Sequence, residues 1–92
     1  MPRVEVDILT GHHNYAVLRL PGRRSPGVLF QGESLSSLTG DVDEALRLLR
    51  SGDHAAAEAQ LEALPAHLGS LRAAYVGVLD GAGLPLPFER PA

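Results

Sequence analysis

Arg23 and Arg24 stand between two Pro-Gly pairs, Pro21-Gly22 and Pro26-Gly27, and Arg19 precedes the first pair by two residues. A guanidinium group offers a rigid fork of donors that matches carboxylate or phosphate oxygens. Proline presets φ at about −65° and glycine supplies the positive φ of a type II turn. The spacing predicts a stiff double turn, which loses little ordering entropy when a partner docks. The arginines are then an anchor for an acidic protein surface or an anionic ligand. The plainer account is a solvated turn whose arginines pair with Glu5, Asp7 or Glu33. A second group, Gln31, Gly32, Glu33 and Ser34, falls where a strand gives way to a helix. Helix N-termini bind anions through free N–H groups, but Glu33 would repel a phosphate and Ser34 reads as the N-cap. The candidate binding residues are Arg19, Arg23, Arg24, Gln31, Glu33 and Ser34.

Other chemistries find little support. His12 and His13 are adjacent, and neighbours in a strand point to opposite faces, so they are poorly placed to chelate one ion. His54 and His67 lack the i, i+4 spacing of a helical metal pair. Neither a metal site nor a cofactor is expected. Six serines are present, none in a motif with a base and an orienter, and the glycines around Ser34 do not form a nucleophile elbow. No catalytic residue is assigned, and the expectation is a non-enzymatic protein. All eight basic residues are Arg, which excludes a phosphate-loop or Schiff-base lysine.

The chain's 92 residues are enough for one small domain over 1–92, with a core but little depth for a cleft. The net charge of −3 argues against general binding to nucleic-acid backbones, and two Tyr, two Phe and no Trp make a poor stacking platform for bases. There is no cysteine, no apolar run long enough for a membrane span and no basic–apolar opening segment. A cytoplasmic protein is expected. The richness in Arg, Ala, Leu, Gly and Pro suggests a bacterial source.

The elements that must hold the arginines follow from periodicity. Val4, Val6 and Ile8 alternate with Arg3, Glu5 and Asp7, the period of a half-wet strand. After a polar turn at His12-His13-Asn14, a second strand begins at Tyr15, with Ala16, Leu18 and Leu20 on one face and Tyr15, Val17 and Arg19 on the other. A short third strand starts at Val28. Leu35, Leu38, Val42, Ala45 and Leu49, widened by Leu46, mark one face of a first helix, although Asp41 with Glu44 could open it later. Gly52 stops that helix and Asp53 caps the next. The second stripe, Ala57, Leu61, Leu64, Leu68, Leu71, Tyr75 and Val78, passes through Pro65. Unbroken, that helix would be about 40 Å long, against about 32 Å for a compact globule of this size. Proline also removes a donor and crowds the Leu61 carbonyl. A kink or break near Leu64-Pro65 is expected, unless a partner chain covers the outer half.

The fold expected is therefore α+β. A three-stranded antiparallel sheet over residues 3–31 precedes an antiparallel helical hairpin over 34–51 and 53–80, packed on one sheet face. The core would hold Val4, Val6, Ile8, Leu18, Leu20 and Val28 or Phe30 from the sheet. Residues 81–92 form an extended Pro-rich tail that Leu84, Leu86 and Phe88 could pin back.

The block over residues 14–35 is the most distinctive stretch. Asn14, Ala16, Val17, Arg19, Pro21, Gly22, Arg23, Pro26, Gly27, Val28, Gln31, Gly32, Ser34 and Leu35 match a pattern N-x-A-V-x-R-x-P-G-R-x-x-P-G-V-x-x-Q-G-D-S-L. This resembles the signature of a family of small bacterial proteins of unknown function. The chain departs from that pattern with Ser25 in place of an aromatic and Glu33 in place of Asp. The resemblance implies a shared fold and no activity. The functional expectation is a protein-binding module, of which an immunity- or antitoxin-type partner of a larger protein is one version by analogy. Its alternative is a small anionic-ligand or nucleotide-binding protein using the same arginines and the helix N-terminus at Ser34. The second helix also offers a homodimer.

Overall fold

The computed structural model describes residues 1–10 and 16–91. The expected turn at His12-His13-Asn14 and the strand start at Tyr15 lie outside the described residues. The chain forms a three-stranded antiparallel sheet followed by two helices, an α+β fold. β1 is Asp7–Ile8, β2 is Ala16–Arg19 and β3 is Gly27–Leu29, in the order β1-β2-β3. α1 is Gly32–Arg50 and α2 is His54–Ala82. Two compact units result, Met1–Phe30 with Ala73–Ala92, and Gln31–Arg72.

In the sheet unit, Asp7 faces Arg19 and Ile8 faces Leu18, while Val17 faces Val28 and Leu18 faces Gly27. Continuing that register would set Glu5 against Pro21, which has no N–H to give. The ladder stops there, and β1 covers two residues rather than the expected run from residue 3. The strand phase also differs from expectation. Val17 is fully buried, and the core gathers it with Tyr75 and Leu79 from α2, flanked by Leu9, Val28, Val78, Leu84 and Leu86. Ile8, Leu20 and Leu29 point the other way and stay exposed. A one-residue shift of phase exchanges the two faces of a strand, and both faces of β2 are apolar enough to serve.

Glycine closes both helices. Gly52 at φ +88° follows Ser51, with Gly52 N–H on the Leu49 carbonyl and Asp53 N–H on the Leu48 carbonyl. Gly83 at φ +69° repeats the pattern on Asp80 and Leu79, and the chain then turns so that Leu84 reaches the core. Both are Schellman ends, where a left-handed residue lets the last carbonyls find donors. Asp53 caps α2 through its side chain, accepting from the Ala56 N–H at 3.2 Å. The tail does return to the sheet unit. Phe88 lies 6.0 Å from the Tyr75 ring, and Arg90 donates twice to Asp80, at 3.0 and 2.9 Å.

Three helix details correct the sequence reading. The residue before α1 is Gln31, with extended φ −68°, ψ 147° and no side-chain cap bond, so Ser34 sits inside the first turn rather than capping it. α1 also runs on through Gly40 to Arg50, without restarting at Asp41. α2 passes Pro65 without a break, so of the kink or break expected there the break is excluded. Leu61 and Pro65 are both exposed, so the carbonyl that loses its helical donor can turn to water. No helix among the described residues is long and apolar enough to cross a membrane.

Candidate functional site

The arginine loop grows out of the end of β2. Pro21 and Gly22 make the first turn, with Gly22 at φ +77° and the Arg23 N–H bonded to the Leu20 carbonyl at 3.2 Å. This is the type II corner expected there. The second Pro-Gly pair is different. Gly27 has no positive φ and opens β3, while Pro26 is buried and its carbonyl accepts the Tyr75 hydroxyl at 2.7 Å. The loop is thus held by one glycine corner and one tyrosine anchor, not by two corners. Burial among aliphatic neighbours pushes the Tyr75 phenol above its ordinary value, so the hydroxyl keeps its proton and remains a donor.

Arg19 spans the sheet edge to its cross-strand partner Asp7 at 3.4 Å, and its side chain is 33% exposed. Arg23 and Arg24 are exposed. Among the described residues neither comes within 4.0 Å of a carboxylate oxygen. Arg23 also stands at the lip of a shallow groove of about 450 Å³ on the outer sheet face, whose floor is Leu18, Leu20, Leu29 and Pro26. An exposed aliphatic strip beside an unpaired guanidinium fits a partner segment carrying both an acid and an apolar side chain.

Gln31, Glu33 and Ser34 belong to the other unit. Glu33 and Ser34 line a groove of about 420 Å³ between α1 and α2, with Ser37, Leu38, Asp41, Leu64 and His67. Asp41 there accepts from the Gln60 amide at 3.4 Å. Two carboxylates and no cation make this groove a poor receptor for an anion. Among the described residues no three His, Asp or Glu side chains converge on a point where an ion could sit.

The remaining ion pairs are local. Arg47 donates to both Glu44 oxygens, at 2.9 and 2.5 Å, which lowers the Glu44 carboxyl and raises the guanidinium. Arg90 does the same for Asp80. All four groups are exposed to solvent and hold ends of elements rather than a site.

Sequence reasoning missed the outer sheet face and the Tyr75 anchor. Both had a signal. Every residue of 15–18 and 20 is nonpolar or aromatic, so either phase of β2 could have faced out. Tyr75 is the one residue with a polar tip in an otherwise aliphatic stripe, and a buried tyrosine hydroxyl requires an acceptor.

The family of unknown function DUF6959 matches residues 1–88, and the chain belongs to it. No curated protein and no solved structure gives a significant match.

Proposed function

We propose that this member of the DUF6959 family is a non-enzymatic protein-binding module whose contact surface is the arginine loop and the outer sheet face beside it. The observation that carries the reading is the unpaired exposure of Arg23 and Arg24, with Arg23 on the lip of the Leu18–Leu20–Leu29 groove. A partner segment would set a carboxylate on Arg23 or Arg24 and an aliphatic or aromatic residue on the strip. Arg19, already engaged by Asp7, would orient the edge rather than bind first. Gln31, Glu33 and Ser34 are not needed by this reading. The anionic-ligand alternative used the same arginines with the helix N-terminus at Ser34, but α1 begins at Gly32, and no observation favours it over the protein partner. The bacterial cytoplasm is the setting this reading assumes, on composition and the lack of cysteine.

The test is a double charge reversal, Arg23→Glu with Arg24→Glu, in a tagged full-length chain. Both side chains are exposed, so the melting temperature should stay nearly unchanged while capture of the native partner is abolished. Undiminished capture by the folded variant sinks the proposal.

A further inference from the structure

β3 is an edge of the sheet, and its far side is unpaired. Val17 spends both of its backbone groups on the β1 side. Its carbonyl accepts from the Leu9 N–H at 2.8 Å, and its N–H donates to the Thr10 hydroxyl at 3.0 Å. Successive residues of a strand send these groups to opposite sides. Ala16 and Leu18 therefore send theirs to β3, where they meet Leu29 and Gly27. Val28, between those two, turns its N–H and carbonyl away from β2, to the open edge. Among the described residues neither group has a hydrogen-bond partner.

The side chains along that edge leave room beside it. Gly27 and Leu29 share the outer face, with Gly27 opposite Leu18. Gly27 is exposed and has no positive φ, and a Cβ built on it meets no atom within 4 Å. The missing side chain keeps the groove over Leu18 open toward the edge. The end of β3 nearest the arginines is held in place, because the Pro26 carbonyl accepts the Tyr75 hydroxyl at 2.7 Å.

We infer that the partner enters as an extended acidic segment that adds a strand beside β3. The inference rests on the arginine-loop reading above and names the form its partner takes. Main-chain bonds to Val28 set the register, and side chains at alternate positions give the specificity. Residues i and i+2 of the segment lie beside Gly27 and Leu29 and are aliphatic, because that face is a leucine groove. The end of the segment that passes Pro26 carries Asp or Glu for Arg23 and Arg24, which among the described residues have no carboxylate within 4.0 Å. A helix laid in the groove would leave the Val28 groups unpaired. Charge selects this edge over the other one. β1 carries Asp7, with Glu5 just before it, and repels an acid. β3 of a second copy is a poor occupant, because residues 25–31 contain no acid.

The test selects short random peptides, displayed on phage, against the full chain. Enriched peptides should carry aliphatic residues at i and i+2 with Asp or Glu gathered toward one end. One of them is then synthesised and titrated. Arg23→Glu with Arg24→Glu should weaken it on the order of 100-fold. Gly27→Val fills the groove, keeps or raises the melting temperature, and should weaken binding about 10-fold or more. N-methylation of the peptide, one amide at a time, should weaken binding about 10-fold at the amides that face Val28 and leave those one residue along unaffected. Binding that falls on charge reversal but ignores both Gly27→Val and N-methylation overturns the added strand and leaves the arginine-loop reading standing. Binding undiminished by charge reversal overturns both. Enrichment of no peptide, or of peptides without acids, overturns the inference, while capture of the native partner still decides the arginine-loop reading. Self-association of the chain that Gly27→Val abolishes would give the edge to residues 4–8 of a second copy, where acids and aliphatics also alternate, and overturns it as well.

Discussion

Replacing Tyr75 by phenylalanine isolates the bond that fixes the arginine loop. The ring stays, along with its packing beside Leu79 and its tilted contact with Phe88 at 6.0 Å. What goes is one hydroxyl that donates to the Pro26 carbonyl at 2.7 Å inside the core. A net hydrogen bond is worth about 1 kcal/mol, and a buried acceptor deprived of its donor costs about 1–3 kcal/mol. A loss of about 1.5 kcal/mol is expected. For a domain of this size that corresponds to a fall of about 6–12 °C in melting temperature. Stability should total about 5–14 kcal/mol, so the change is a sizeable share. Urea denaturation followed by circular dichroism measures it, and hydrogen exchange should show faster exchange at the Arg23 amide, whose turn loses its anchor. The pH dependence gives an independent check. Burial holds the phenol neutral in the folded chain, above its ordinary 10.0, so as pH rises the unfolded state loses the proton first. Stability from this group is complete below that value and drains away as pH climbs through the raised folded-state value. The wild-type chain should therefore lose more stability than Tyr75→Phe above that pH. A change under about 0.3 kcal/mol with an unaltered alkaline limb would refute the anchoring role.

Two further substitutions test the helical frame. Pro65→Ala should stabilise the protein by about 2 kcal/mol in urea denaturation, because α2 is helical on both sides of the proline and interior proline costs about 3 kcal/mol, partly offset by a more flexible unfolded chain; destabilisation would mean the proline has a packing role. Gly83→Ala should cost about 1–2 kcal/mol through its φ of +69°, whereas Gly69→Ala, helical and with no atom within 4 Å of an added Cβ, should gain up to about 1 kcal/mol. Equal signs for the pair in thermal melts would contradict the assigned helix end.

Signals read correctly in the sequence were local. Pro21-Gly22 specifies its turn because proline and glycine each fix one torsion. Gly52 followed by Asp53 specifies a stop and a start because a left-handed residue and a capping carboxylate act within four residues of themselves. Leu84, Leu86 and Phe88 were visible as a return of the tail because they are apolar residues after the helix has ended. Signals that failed depend on what lies across the fold. Pro26-Gly27 looked like the first corner, but β3 takes up Gly27 and Tyr75, forty-nine residues away, claims the Pro26 carbonyl. Val17 rather than Leu18 is buried because Tyr75 and Leu79 pack on that face, and nothing within the strand chooses between them. The apolar stripe of α1 was legible as one helical face, but only Ala45 of it is buried, while Leu35, Val42, Leu46 and Leu49 stay exposed.

The candidate site was half legible. Arg23 and Arg24 were singled out from residue type and spacing; they are exposed, and among the described residues they have no ion-pair partner. Their apolar companion was not visible, because the alternation puts Leu18 and Leu20 in the core and gives Leu29 no role. Ser34 failed as a cap because α1 starts a turn earlier, at Gly32.

The most direct measurement is hydrogen–deuterium exchange of the full chain, free and bound to the partner it captures. The account predicts new protection from Arg23 through Leu29, at the loop and the edge strand beside it. Protection confined to α1 and the first half of α2, with the loop and β3 unchanged, would contradict it.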